Sequence, residues 1–535
     1  MTRKTQPANH ISMNELACGA AMSVRQQLHS FIVPTLVLAA TTAAVTTPKP
    51  TEASVPLGVA WNVHPRVGYG VLGLNVYEQL WKRVGETPFY PTLLAAPHSQ
   101  ALLSEYPTAP VFRQLFQTQR HNLDAGTFAT GRRARGVAPV PFPVLHALDE
   151  GTPEPGQDIW GSVNAAFCFL ETARLGSEWV AKARAYDVVL SGSEWNTQLL
   201  HKLGVTQAVT AWQGVDVDLF HPRASDGSPS AGVSDPDLAH RLKDKFVIFS
   251  GGKLEWRKGQ DRVVAAFKRF IREGAHEDAV LLTAWYNQFP ETMASIGDEG
   301  LVRGVPSGKA GGVEAWLAKN GVPADRVIDM GDSDQARLAR AYGRADVGVF
   351  PNRVEGGTNL VAMEAMACGM PVVLSNSTGH QDIAGKRDDH RAVHCYAFSA
   401  TDEDSAVDAI VAELNNVYAD RVEARRRGAN AALFIRRHFS WTVAVQRVIT
   451  ALINKGAARA PRGMLSWNAR DQRVDFRDAS IGIHVGPPWM WALVGAAAVL
   501  LAAAAFSALS GNKKASKSKQ PASKAASGCG KSKQQ

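Results

Sequence analysis

Residues 349–375, VFPNRVEGGTNLVAMEAMACGMPVVLS, limit what this chain can fold into more than any other stretch. An apolar run over 347–350 stops at Pro351, and a turn-rich loop follows with Glu355, Gly356, Gly357, Thr358 and Asn359. Strong helix formers occupy 360–368, Gly369 supplies a stop, and a second apolar run begins at Pro371. Strand, loop, helix, strand is the repeating unit of a parallel α/β sheet, with its ligands held at the carboxyl ends of the strands. A glycine pair leading into a helix lets backbone N–H groups approach an anion, and the helix N-terminus favours negative charge. The stretch therefore predicts a phosphate site at Gly356, Gly357, Thr358 and Asn359. Glu355 and Glu364 flank it, as carboxylates suited to sugar hydroxyls.

The same unit recurs upstream. An apolar strand over 246–250 leads into Gly251, Gly252, Lys253, Trp256, Arg257, Lys258 and Gly259, then a helix with Val263, Val264, Phe267, Phe270 and Ile271 on one face. Strand, basic glycine loop and helix again describe phosphate-site architecture, with Lys253 and Lys258 as its cations. Further strands are predicted over 279–285, 327–330 and 346–350, and helices over 313–319, 335–342, 402–418 and 421–452.

The first half carries a second alternating series. Strands are predicted over 55–61, 137–145, 165–170, 186–191 and 209–212, and a helix follows the loop 62–70. Gly68, Gly70 and Gly73 match the dinucleotide fingerprint G-x-G-x-x-G literally. Six residues separate the strand from Gly68, and no acidic residue ends a following strand at the required offset, which argues against a nicotinamide site. Residues 223–239, rich in Ser, Gly, Pro and Asp, read as a linker between the two series.

These motifs closely resemble the retaining nucleotide-sugar glycosyltransferases of the GT-B fold: a Glu, a glycine-rich loop, then a second Glu in a helix ending Ala-Met-Ala-Cys-Gly. The usual spacing has seven residues between the glutamates, whereas eight separate Glu355 from Glu364. The resemblance implies an α/β architecture of two Rossmann-like domains facing a cleft. Residues 55–222 form the acceptor-side domain, 223–244 the linker and 245–456 the donor-binding domain, whose last helix crosses back to the first. It implies transfer of a hexosyl-type group from a nucleoside diphosphate sugar with retention of configuration, to a glycan, lipid or protein acceptor. Glu355 would hold a donor-sugar hydroxyl, Glu364 the ribose, and Lys253 and Lys258 the diphosphate. Family members carry Arg where Lys253 stands, so a point charge replaces a planar fork. Gly68 and Gly70 would face the donor across the cleft. His146 is the acceptor-side candidate, with His64 second and Glu171 third. Two short Asp-x-Asp matches, at Asp216 and Asp218 and at Asp332 and Asp334, fall in segments the GT-B reading already accounts for. No metal or other cofactor is expected. The contrasting reading is a membrane-anchored scaffold that binds a sugar nucleotide without catalysis.

Residues 489–509 are uncharged and almost wholly apolar, opened by Trp489 and Trp491, which predicts a C-terminal transmembrane helix. The segment 457–488 would link it to the donor domain, and 510–535 would form a Lys/Ser-rich disordered tail. The protein is thus expected to be a single-pass membrane protein, with the side of the catalytic part open. The leader 1–54 contains an apolar run over 31–45 compatible with a late signal-peptide core, part of a transit sequence or a disordered leader. Of the formal charge of +9, seven charges are lysines after Gly511 with no acid among them. The basic balance therefore belongs to the tail, and no nucleic-acid partner is expected. Five scattered cysteines without a Cys-x-x-Cys pair argue against a disulfide framework or a zinc site.

Overall fold

A computed structural model describes residues 54–64, 68–95, 138–149, 159–222, 236–385, 394–459, 465–468 and 473–476. By internal contact the chain divides after Arg477, and everything below concerns the first unit. The predicted transmembrane segment 489–509, the tail and the leader up to residue 53 lie outside the described residues. Among the described residues no helix is long and apolar enough to cross a membrane.

Two six-stranded sheets carry the fold. The first contains β1 (Val55–Val59), β2 (Phe89–Leu93), β4 (Val144–Ala147), β6 (Asn164–Cys168), β7 (Val188–Ser191) and β8 (Ala208–Thr210), in the order β2-β1-β4-β6-β7-β8. Every pairing in it is parallel. A small pair, β3 (Ala138–Pro139) with β5 (Ile159–Trp160), stands apart. The strand expected over 137–145 is divided: Pro141 and Pro143 cannot donate to a ladder, so the chain breaks between β3 and β4. Strand β2 has no counterpart in the sequence reading because Pro91 sits in its middle. It occupies the sheet edge, where a missing N–H is tolerated. Helices α1 (Gly68–Lys82), α2 (Ser177–Arg184) and α3 (Glu194–Lys202) connect these strands.

The linker is shorter than its composition suggests. Residues Pro236–Arg241 form helix α4, and Leu238 and Leu242 enter the core of the second sheet. That sheet has β9 (Phe246–Lys253) at its centre, with β10 (Ala279–Tyr286), β11 (Val327–Asp329), β12 (Val347–Phe350), β13 (Val372–Ser375) and β14 (Tyr396–Phe398), in the order β11-β10-β9-β12-β13-β14. It too is parallel throughout. Strand β9 runs further than the apolar residues alone indicate. Gly251, Gly252 and Lys253 still pair with Ala284, Trp285 and Tyr286, so Lys253 ends a strand rather than riding in a loop. The flanking helices are α5 (Gln260–Glu273), α6 (Pro290–Glu299), α7 (Gly312–Lys319), α8 (Gln335–Arg344), α9 (Leu360–Ala367), α10 (Gln381–Ala384), α11 (Glu403–Ala419) and α12 (Arg421–His438).

The helix expected over 421–452 is interrupted at Phe439 and Ser440. Ser440 caps a new helix, α13 (Trp441–Asn454), by accepting from the N–H of Val443 at 3.4 Å. Trp441, Ala444, Val445, Val448, Ile449 and Leu452 of α13 bury themselves in the core built by β1 and α1. The last helix therefore braces the first sheet. At the crossing, Val215 donates to the carbonyl of Phe439 at 2.7 Å and accepts from Trp441 at 3.2 Å. Gly214 makes this possible, since a Cβ there would lie 2.6 Å from the Trp441 nitrogen. Beyond α13, an antiparallel hairpin of β15 (Leu465–Asn468) and β16 (Arg473–Phe476) occupies part of the segment expected to be a plain linker.

Candidate active site

The glycine loop joins β12 to α9, and it is built from below. Asn359 takes φ 62°, and its side-chain oxygen caps α9 by accepting from Ala362 N–H at 3.4 Å. Its Nδ2 meets His380 Nε2 at 3.0 Å, His380 Nδ1 meets Ser375 Oγ at 3.0 Å, and Ser375 donates to the carbonyl of Asn352 at 2.7 Å. That relay fits a neutral imidazole with its proton on Nδ1. Burial holds His380 in this form by pushing its pKa down to about 4. His380, which no motif in the sequence singles out, thus fixes both ends of the loop.

Glu355 sits fully within this framework. Its carboxylate pairs with Lys258, accepts from Asn352 Nδ2 at 2.7 Å and lies 3.8 Å from Arg257. Burial alone would raise its pKa, but Lys258 and then Arg257 outweigh burial and hold it at about 2. The two cations arrive by a tight turn. After β9 a 3₁₀ turn spans Trp256–Lys258, and Gly259 follows in the left-handed region at φ 74°. A Cβ on Gly259 would strike the carbonyl of Pro351, so glycine is what lets this turn press against the Glu355 loop. Arg353 clamps the arrangement. It donates its N–H to the Arg257 carbonyl at 2.8 Å and pairs with Asp261 at 2.7 Å and Glu403 at 2.6 Å.

Lys253 and Lys258 meet through intermediaries. Lys253 lies 3.2 Å from Glu255, Glu255 lies 2.7 Å from Arg257, and Arg257 and Lys258 both face Glu355. Glu171, just past β6 of the first sheet, pairs with Arg257 from across the cleft. Gly356 is the other crossing point. Its carbonyl accepts from Ser193 Oγ at 2.9 Å and from the side chain of Asn196, and a Cβ on it would lie 2.5 Å from the Leu170 carbonyl. A Cβ on Gly192 would lie 3.2 Å from the Gly357 Cα, and Thr358 is fully buried with its hydroxyl unpartnered. Asp382 of α10 adds a third crossing by accepting from Trp212 Nε1 at 2.7 Å and Glu194 N–H at 2.8 Å.

Glu364 belongs to a different environment. It projects from α9 toward Tyr342, whose hydroxyl donates to it at 3.1 Å. Burial raises its pKa to about 8, with Asp216 adding to the rise. The two motif glutamates are therefore in opposite states near neutral pH, Glu355 ionised and Glu364 protonated. Gly68 and Gly70, expected in a loop, lie in the first turn of α1. A Cβ on Gly70 would meet the His64 backbone nitrogen at 2.6 Å, so Gly70 serves the packing of α1 on the loop after β1. His146 is fully buried in β4. It bonds Asn164 at 3.2 Å and packs against the stacked rings of Trp160 and Tyr186, and burial lowers its pKa to about 4. Asp216 closes a turn by accepting from Asp218 N–H, and Asp334 caps α8. Among the described residues no group of His, Cys, Asp and Glu converges as a metal site.

Two facing parallel-sheet domains, joined by a helix that crosses back and touching through a glycine loop, have the architecture of the GT-B fold. Residues 222–448, the second domain and most of its last helices, match the family described as Family 4 glycosyltransferase in conflict systems. Among solved structures the chain is similar to sucrose-phosphate synthase from Thermosynechococcus elongatus (17% identity, TM-score 0.50, covering 76% of this chain and 100% of that one). It is also similar to HepE from Anabaena, solved in complex with UDP (13% identity, TM-score 0.50, covering 75% and 100%). At such identities the likeness concerns the fold. Among curated relatives, a GDP-mannose-dependent alpha-(1-6)-phosphatidylinositol monomannoside mannosyltransferase of Mycolicibacterium smegmatis is 25% identical over 260 residues, 46% of this chain and 56% of that protein. A D-inositol 3-phosphate glycosyltransferase of Xylanimonas cellulosilytica is 32% identical over 168 residues, 30% and 33% of the two chains. The chain spans about half the length of the first of these relatives and a third of the second.

Proposed function

We propose that this protein transfers a hexosyl-type group from a nucleoside diphosphate sugar to an acceptor with retention of anomeric configuration. The observation that carries the reading is the cluster of Lys258, Arg257 and Glu355 at the carboxyl ends of β9 and β12, where the first domain touches the glycine loop. A diphosphate leaving group gains charge as the glycosidic bond breaks, and fixed cations in a site of low exposure stabilise that charge without reorganisation. Lys253 and Lys258 supply it, and Glu355, held ionised, offers an acceptor to a sugar hydroxyl. Glu364, protonated near neutral pH, is suited to a ribose hydroxyl as either donor or acceptor. With these cations at the diphosphate, the reaction is proposed to need no metal.

The relatives' names put GDP-mannose and inositol-containing acceptors first among candidates. A membrane-lipid acceptor would suit a C-terminal anchor at 489–509, and protease protection of the tail in sealed vesicles tests that placement. The activity is tested by donor hydrolysis and transfer with UDP-, GDP- and ADP-sugars, with the product anomer read by NMR. Lys258→Ala and Glu364→Ala should abolish turnover. Full activity in both would overturn the assignment, and donor binding without transfer to any acceptor would favour the scaffold reading.

A further inference from the structure

We propose that Arg257 is the guanidinium fork that grips the donor's diphosphate, and that Glu171 of the first domain holds that fork until the donor displaces it. This rests on the glycosyltransferase reading above and adds two residues to its site. The argument begins with charge. Three cations, Lys253, Arg257 and Lys258, stand against three carboxylates, Glu171, Glu255 and Glu355, in one connected chain of ion pairs. The ion-pair cluster is therefore neutral in itself, and adding a diphosphate to it would give a net negative charge in a region of low exposure, which is costly. Withdrawal of one carboxylate reduces that excess.

Exposure identifies which one. The side chains of Glu255 and Glu355 are only 6% and 9% exposed, and Glu355 is further held by Asn352. Glu171 is 45% exposed and belongs to the opposite domain, so it can turn into water without stranding a buried charge. Its departure uncovers the cleft-facing side of Arg257, whose side chain is 14% exposed, oriented by the Trp256–Lys258 turn and still anchored by Glu255 and Glu355. A guanidinium binds phosphate oxygens bidentately where an ammonium offers a point charge. Lys253 is an ammonium at the end of β9, so the planar contact at this diphosphate falls to Arg257. Exchange of Glu171 for the donor also breaks one of the pairs joining the domains, so donor entry and loosening of that contact are the same event.

The test is calorimetric titration of UDP, GDP and ADP into the full chain and into Glu171→Gln and Arg257→Lys variants, with melting temperatures measured alongside. Removing the competing carboxylate in Glu171→Gln should tighten nucleoside diphosphate binding by about threefold or more. Replacing the fork by a point charge in Arg257→Lys should weaken it by about tenfold. Unchanged or weaker binding in Glu171→Gln would overturn the proposal, as would wild-type affinity in a folded Arg257→Lys. Should Arg257→Lys fail to fold, Glu171→Gln decides alone, because its residue is half-exposed. Absence of binding by all three nucleotides to the wild-type chain would instead overturn the glycosyltransferase reading, and this proposal with it.

Discussion

Glu364 offers the sharpest physical test of the second domain. Its carboxyl is buried against Tyr342 with a pKa raised from 4.5 to about 8. A carboxyl whose pKa is raised on folding stabilises the folded chain below its unfolded value, and loses that contribution as pH climbs through the folded value. Between those limits the folded state holds a proton that the unfolded state has released, so stability falls by about 1.36 kcal/mol per pH unit. From pH 5.5 to 7.5 the wild-type protein should lose about 2.5 kcal/mol from this one group. In Glu364→Gln the side chain stays neutral and still accepts from the Tyr342 hydroxyl, so the slope disappears. The assay is urea unfolding of both proteins, followed by tryptophan fluorescence at several pH values. Every other titrating group is common to both proteins and cancels in the difference. The variant should gain on wild type steadily as pH rises. Parallel stability profiles over that range would refute the buried, protonated Glu364.

Two further perturbations address the framework. Arg353→Met removes the paired cation of Asp261, which is fully buried, while Glu403 keeps Arg262; breaking such a buried pair costs about 3–5 kcal/mol, and a fall in melting temperature measures it. Gly379→Ala would drive a Cβ into the carbonyl of Gly357 and to 2.7 Å from that of Glu355. Overpacking of this kind costs about 1–3 kcal/mol and should weaken nucleoside diphosphate binding in the same variant, read by titration.

The architecture was largely legible in the chain. Parallel strands buried on both faces leave continuous apolar runs, so 246–250, 347–350 and 186–191 announce themselves. Where the signal failed, the cause is identifiable. Pro91 hid an edge strand, Pro141 and Pro143 divided another, and Gly251 and Gly252 masked the end of β9. In the site, the motif residues Glu355, Lys253 and Lys258 come to one place. Arg257 carried no periodicity or spacing to distinguish it from any loop arginine, and Glu171 was one of several candidates after a strand.

Local chemistry thus determined the glycine loop, its capping Asn359, the strands around it and the two glutamates of the motif, because propensity and hydrophobic period act over a few residues. Which charges those residues carry was decided elsewhere. Glu355 is held ionised by Lys258 and Arg257, brought beside it by the turn at Gly259. Glu364, nine residues on, is kept protonated by its burial against Tyr342 on α8. Protonation depends on what surrounds a group within a few ångströms, and in this protein those neighbours come from segments far apart in the sequence.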